Sequence, residues 1–128
     1  MSTGSGSYNN GYAHMKTNMA TNSSTMFVFT MRGYSYGQGK IMFAETCGYC
    51  YSAHNNIINT ENKSYDGTTT LSTYKSSDGY VCLEVAMNGW SSYYTGFIID
   101  VQYANHAMGA MNYKVISSTW NNTNNHFA

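Results

Sequence analysis

The sequence predicts an all-β domain, an antiparallel two-sheet β-sandwich with jelly-roll-like character, and three observations carry that prediction. Short runs alternate apolar and polar residues: in Tyr80–Val85, Val81, Leu83 and Val85 share one face while Tyr80, Cys82 and Glu84 share the other. Turn residues punctuate these runs, above all Gly37-Gln38-Gly39 and Ser76-Ser77-Asp78-Gly79. Almost no stretch has the three-to-four apolar spacing of an amphipathic helix. The 128 residues fit a single domain and can bury a core without disulfide staples.

Residues 1–11 are rich in Gly, Ser and Asn and read as a flexible or partner-docking N-terminal arm, with residues 12–128 forming the sandwich. Tyr12–Lys16 reads as a short strand. Thr25–Tyr36 and Lys40–Tyr51 read as two long strands, joined through the glycine-bearing turn into the strongest hairpin signal in the chain. Met26–Met31 is almost continuously apolar, as expected of a strand covered on both faces. His54–Asp66 is polar and reads as a loop, with at most a short strand at Asn56–Asn59. Thr68–Lys75 and Tyr80–Ala86 form a second hairpin about Asp78-Gly79. A loop at Asn88–Ser92 leads to a strand at Tyr93–Tyr103, and Tyr113–Thr119 reads as the last strand before a polar tail.

Composition narrows the function. Charged residues make up only 9 % of the chain and the net charge is zero, which argues against nucleic-acid binding through phosphates. No apolar run reaches the ~20 residues of a membrane-spanning helix, so no membrane insertion is expected. The N-terminus lacks the basic and apolar regions of a secretory signal. There is no proline and little charge to protect strand edges. Together with nine methionines and 13 tyrosines, this points to a homo-oligomer whose edges and faces are covered by neighbouring copies.

Catalytic and cofactor signatures are weak. Cys47 and Cys50 form a C-x-x-C pair, but on a strand positions three apart face opposite sides, so with Cys82 they read as free, packing thiols. His14, His54, His106 and His126 are scattered without metal-ligand spacing, and His14 reads as a packed or interface residue. No G-x-S-x-G elbow occurs, and the six carboxylates are spread along the chain. No catalytic residue, metal or cofactor is therefore assigned, and the chain is read as a non-enzyme.

The positive signal is aromatic. Trp90 and Tyr93 lie in Asn88-Gly89-Trp90-Ser91-Ser92-Tyr93-Tyr94, and Trp120 and Asn121 follow the last strand. Rings cover the apolar faces of sugars while neighbouring amides and hydroxyls satisfy sugar hydroxyls, so Trp90, Tyr93, Trp120 and Asn121 are the candidate ligand-binding residues. For Trp90 and Trp120 a packing role stays open, and Tyr34, Tyr36, Tyr49 and Tyr51 read as strand-packing residues.

The segments Gly11–Thr17, Met26–Phe29 with Gly33–Gly37, Ser76–Leu83 and Tyr93–Phe97 resemble the C-terminal receptor-binding (head or knob) domains of tail-fibre-like proteins of marine and cyanobacterial phages. The resemblance implies a β-sandwich head, commonly a homotrimer, at the exposed tip of a virion appendage that touches a host-surface glycan or protein. It brings no catalytic or metal residues. The expectation is a virion-surface adhesion domain, with an arm able to dock on other virion proteins. The alternative is a structural or decoration subunit of a virion or filament that polymerises through strand edges and tyrosine-rich faces.

Overall fold

The computed structural model describes the backbone of residues 11–106, 109–110 and 115–121 and the side chains of residues 11–101. Nine strands form two antiparallel sheets: β1 (Tyr12–Ala20), β2 (Thr25–Ser35), β3 (Lys40–Tyr51), β4 (Asn56–Ser64), β5 (Thr70–Lys75), β6 (Tyr80–Ala86), β7 (Thr95–His106), β8 (Gly109–Ala110) and β9 (Val115–Asn121). One sheet has the order β5-β6-β1-β9 and the other β4-β3-β2-β7-β8. Each sheet turns its alternate apolar positions toward the other, which is the sandwich that period-2 patterning demands. The expected arm lies outside the described residues save Gly11, whose carbonyl accepts the Met87 N–H at 2.9 Å.

Alternation decides which residues make the core. Phe27, Phe29 and Met31 on β2 and Met42, Ala44 and Cys50 on β3 face inward against Ala13, Met15, Leu71, Val81, Leu83 and Val85 of the other sheet. The Phe27 and Phe29 rings touch at 5.1 Å. Gly33 and Gly48 are required by this packing. A Cβ on Gly33 would lie 2.2 Å from the Gly96 carbonyl oxygen and 2.5 Å from Phe97 Cβ, and one on Gly48 would lie 2.9 Å from the tip of the Phe27 ring.

Several elements correct the sequence reading. β4 is a nine-residue edge strand, Asn56–Ser64, where the sequence predicts a loop with a short strand at Asn56–Asn59. Its polar residues pair with β3, Glu61 opposite Cys47 and Lys63 opposite Glu45, so they face solvent on a sheet edge and need no apolar alternation. Beside Asn59, at φ 53°, the register shifts between Cys47 and Tyr49. That bulge, with Glu61 and Lys63, blunts the edge in place of proline. β1 runs on to Ala20 through another bulge, where Thr17 Oγ1 donates to the Val81 carbonyl at 2.7 Å and accepts from the Met19 N–H at 3.1 Å. The Met26–Met31 run is covered on its outer face only in part: there Thr30 is buried, Val28 half-buried and Met26 46 % exposed.

The connections fall at two ends. At one, the β1–β2, β3–β4 and β5–β6 loops are tied together: Thr21 donates through its N–H to Gly79 O and through Oγ1 to Asn55 Oδ1, Lys75 Nζ donates to Asn55 O, and Lys16 pairs with Asp78. At the other lie the β2–β3 turn, the β4–β5 crossing and the β6–β7 loop. The crossing is organised by Asp66, whose carboxylate accepts the N–H groups of Phe43 (2.9 Å), Thr68 (2.7 Å) and Thr69 (2.7 Å) and the hydroxyls of Thr69 and Ser64. Burial pushes the Asp66 carboxyl up, but these donors outweigh it and hold the group below its ordinary value.

The two outer faces differ. On the four-stranded sheet, outward-pointing His14 and Cys82 are fully buried, and His14 lies between the rings of Tyr12 and Tyr74 with Nδ1 3.1 Å from the Tyr74 hydroxyl. On the five-stranded sheet, Tyr34, Ile41 and Ile98 stand exposed.

Candidate functional site

At the end carrying the β2–β3 turn, two loops bring Tyr36, Tyr93 and Tyr94 together. The loops are laced by backbone bonds, Tyr36 N–H to Tyr94 O and Gly37 N–H to Tyr93 O, both 3.2 Å. Ser91 Oγ accepts the Tyr93 N–H, and Asn88 Nδ2 anchors the start of the β6–β7 loop to Thr68 O at 2.7 Å. A Cβ on Gly37 would meet the Tyr93 carbonyl oxygen at 3.3 Å, so the close approach of the loops favours glycine there.

The rings form a cluster in which two of the three pairs are near-perpendicular and the third is tilted. Tyr93 and Tyr94 meet at 4.8 Å and 85°, Tyr36 and Tyr94 at 6.1 Å and 80°, and Tyr36 and Tyr93 at 6.0 Å and 48°. They line an open depression of about 330 Å³. Tyr36 is 61 % exposed, so these rings cover little of the core; they face solvent. Tyr94 adopts φ 45°, a left-handed backbone that costs a bulky residue on the order of 1–3 kcal/mol. That strain is held by the bonds from Tyr36 and Gly37 in the β2–β3 turn, and the side chain is exposed. Three phenol rings with hydroxyl tips and, among the described residues, no charged side chain in the lining suit a neutral ligand with apolar faces and many hydroxyls.

The four residues singled out from sequence fare differently. Tyr93 is part of the cluster. Trp90 sits in the same loop but is half-buried and packs against the core, so its ring supports the loop. The side chains of Trp120 and Asn121 lie outside the described residues; their backbone, in β9, pairs with Ala13 and Tyr12 at this same end. Tyr36 and Tyr94 were missed. Tyr36 reads as the next position of the β2 alternation, yet the strand ends at Ser35 and releases it into the turn. The available signal was its place directly before a glycine-bearing turn. Tyr49 and Tyr51 do pack on the sheet, 6.0 Å apart, whereas Tyr34 is 53 % exposed.

A second depression, about 190 Å³, lies on the outer face of the five-stranded sheet among Val28, Cys47, Glu45, Glu61, Lys63 and Tyr65. Glu45 accepts from the Tyr65 hydroxyl at 2.6 Å and the Thr30 hydroxyl at 2.8 Å. These bonds, with Lys63 and Arg32 nearby, hold its carboxyl below the ordinary value, the opposite of what a proton donor needs. Cys50, buried in the core, is pushed up to about 11, chiefly by burial. Among the described residues no three of His, Cys, Asp and Glu gather as a metal site. Comparisons with protein-family models, curated proteins and solved structures return no match.

Proposed function

We propose that the chain is a non-enzymatic adhesion module, the head domain of a phage surface appendage, that attaches to host-surface carbohydrate through the tyrosines at one end of the sandwich. The observation that carries the reading is the cluster of Tyr36, Tyr93 and Tyr94: exposed and uncharged at a loop end, with Tyr94 on strained backbone. Large aromatics held in solvent give contact area at little cost in ordering, which is what a sugar-binding surface requires. Placement on a virion rests on the resemblance of the segments to tail-fibre heads. A glycan array tests the binding reading. The expected result is retention of a defined glycan set, with Tyr94→Ala and Tyr93→Ala each weakening binding about tenfold, ~1.4 kcal/mol. An array with no retained glycan, or retention unchanged by both substitutions, removes this site.

A second reading, a structural subunit, is favoured by one specific observation, the bare outer face of the five-stranded sheet. There the expected result is assembly without any glycan retention.

A further inference from the structure

Ile41, Ile98 and Tyr34 are 73 %, 61 % and 53 % exposed on the outer face of the five-stranded sheet, whereas on the outer face of the other sheet His14, Cys82 and Glu84 are buried and Tyr12 and Tyr74 half-buried. We propose that this face binds a second copy of the chain, about a two-fold axis that runs along the strands between β2 and β3. The proposal is independent of the glycan reading.

Register and charge select that occupant. Of the five cross-strand rows that the described residues form on this face, three bear on the pairing, Gly96–Tyr34–Ile41, Ile98–Arg32–Phe43 and Asp100–Thr30–Glu45–Lys63; Val28–Cys47–Glu61 and Met26–Tyr49–Ile58 follow. Rotation about the proposed axis lays β2 on the partner's β3 and β7 on the partner's β4, and leaves every row at its own height. Tyr34 then covers the partner's Ile41. Arg32 reaches the partner's Phe43 ring in the way it already stands 4.2 Å over its own Phe43. Ile98 meets the partner's Tyr65, because Tyr65 extends the Phe43 row through its N–H bond to Phe43 O and stacks on that ring at 4.4 Å. Asp100 comes over the partner's Lys63, and symmetry makes the same pair twice. Among the described residues the ion pair within the chain joins Lys16 to Asp78; Asp100 and Lys63 are in no salt bridge, and Lys63 stands 5.4 Å from the Tyr65 ring centre beside Glu45, on the row that Asp100 would cover.

An axis across the strands midway between the second and third rows fails this test: it sets Ile98 on the partner's Asp100 and Phe43 on the partner's Glu45, and an axis through the second row sets Arg32 on the partner's Arg32. The size is also sufficient. Four strands spaced ~4.8 Å apart and nine residues rising ~3.4 Å each give a face of about 600 Å² per copy, or on the order of 1,200 Å² in a pair, the lower bound of stable interfaces. A face complementary to itself closes at two copies. The proposal therefore departs from the trimer that the resemblance implies.

Light scattering on size-exclusion eluate of the full chain tests it. The expected result is a dimer that Ile41→Glu converts to monomer with the melting midpoint of the monomer fold retained. The decisive series is charge reversal. Asp100→Lys and Lys63→Asp should each raise the dimer dissociation constant about tenfold, since each sets like charges together at two symmetric positions, while the double variant should restore it. Within one chain these residues stand three strand spacings apart, ~14 Å, so the restoration can arise only between copies. A wild-type monomer, trimer or open polymer overturns the proposal. So does a dimer that Ile41→Glu leaves intact, or a double variant no tighter than the single ones.

Discussion

Asp66 is the residue on which the crossing between the sheets depends. Its carboxylate takes three backbone N–H groups and two hydroxyls, and no other side chain type offers an anion of that reach at that position. Asp66→Ala leaves those donors to water or to nothing and should cost about 1–3 kcal/mol, read as a fall in the urea midpoint. The pH dependence follows from the depressed carboxyl. The folded state binds its proton less readily than the unfolded chain, so the contribution is complete above the ordinary value of 3.8 and fades as pH falls below it through the lower folded value. Wild type and Asp66→Ala should therefore differ most near neutral pH and converge in acid. A difference that stays constant from about pH 7 to about pH 3 would show that the charge is not what holds the crossing.

At the scale of elements, the strands legible in the sequence are those that set apolar residues at every second position toward the core. β3 and β6 were read with their observed bounds because alternation sets Met42, Ala44 and Cys50, or Val81, Leu83 and Val85, against the core. β4 was not legible. An edge strand such as β4, largely open to water, is specified by its partner and not by its own pattern, and Glu61 and Lys63 in it look like loop residues until their register with β3 is known. The second half of β1 was hidden by a bulge, which shifts the phase on which alternation relies. Most of the tyrosine site was illegible for a related reason: it exists only where two loops far apart in sequence are laced together. The contact between β2 and β7 supplies a further prediction. Gly33→Ala puts a methyl group into the Gly96 carbonyl and Phe97 Cβ, two positions that cannot rotate away, so it should destabilise by ~1–3 kcal/mol or more, seen as a lower melting temperature. An unchanged midpoint would mean that β7 can slide outward freely.

On the scale of the whole molecule, the thiols report both folding and association. Cys50 and Cys82 are buried and burial pushes both up, so alkylation of the native protein at neutral pH should reach Cys47 first and the other two only on unfolding. Cys47 sits on the outer face proposed for pairing, so its labelling should slow as protein concentration rises. Peptide mapping at two concentrations reads both effects, and early modification of Cys50 would show that the core opens more readily than its packing suggests. The two-sheet architecture itself was legible from composition and turn spacing, because a chain with period-2 patterning and almost no helical pattern has few other ways to bury its apolar residues. The direction of the strands carries one more consequence. An axis lying along them turns neither copy end over end, so the tyrosine loops of both copies point the same way. A paired head would then stand on a surface with two feet. The second foot would bind at an effective concentration of order millimolar, and release would require both to lift together, so weak single contacts would add up to long residence.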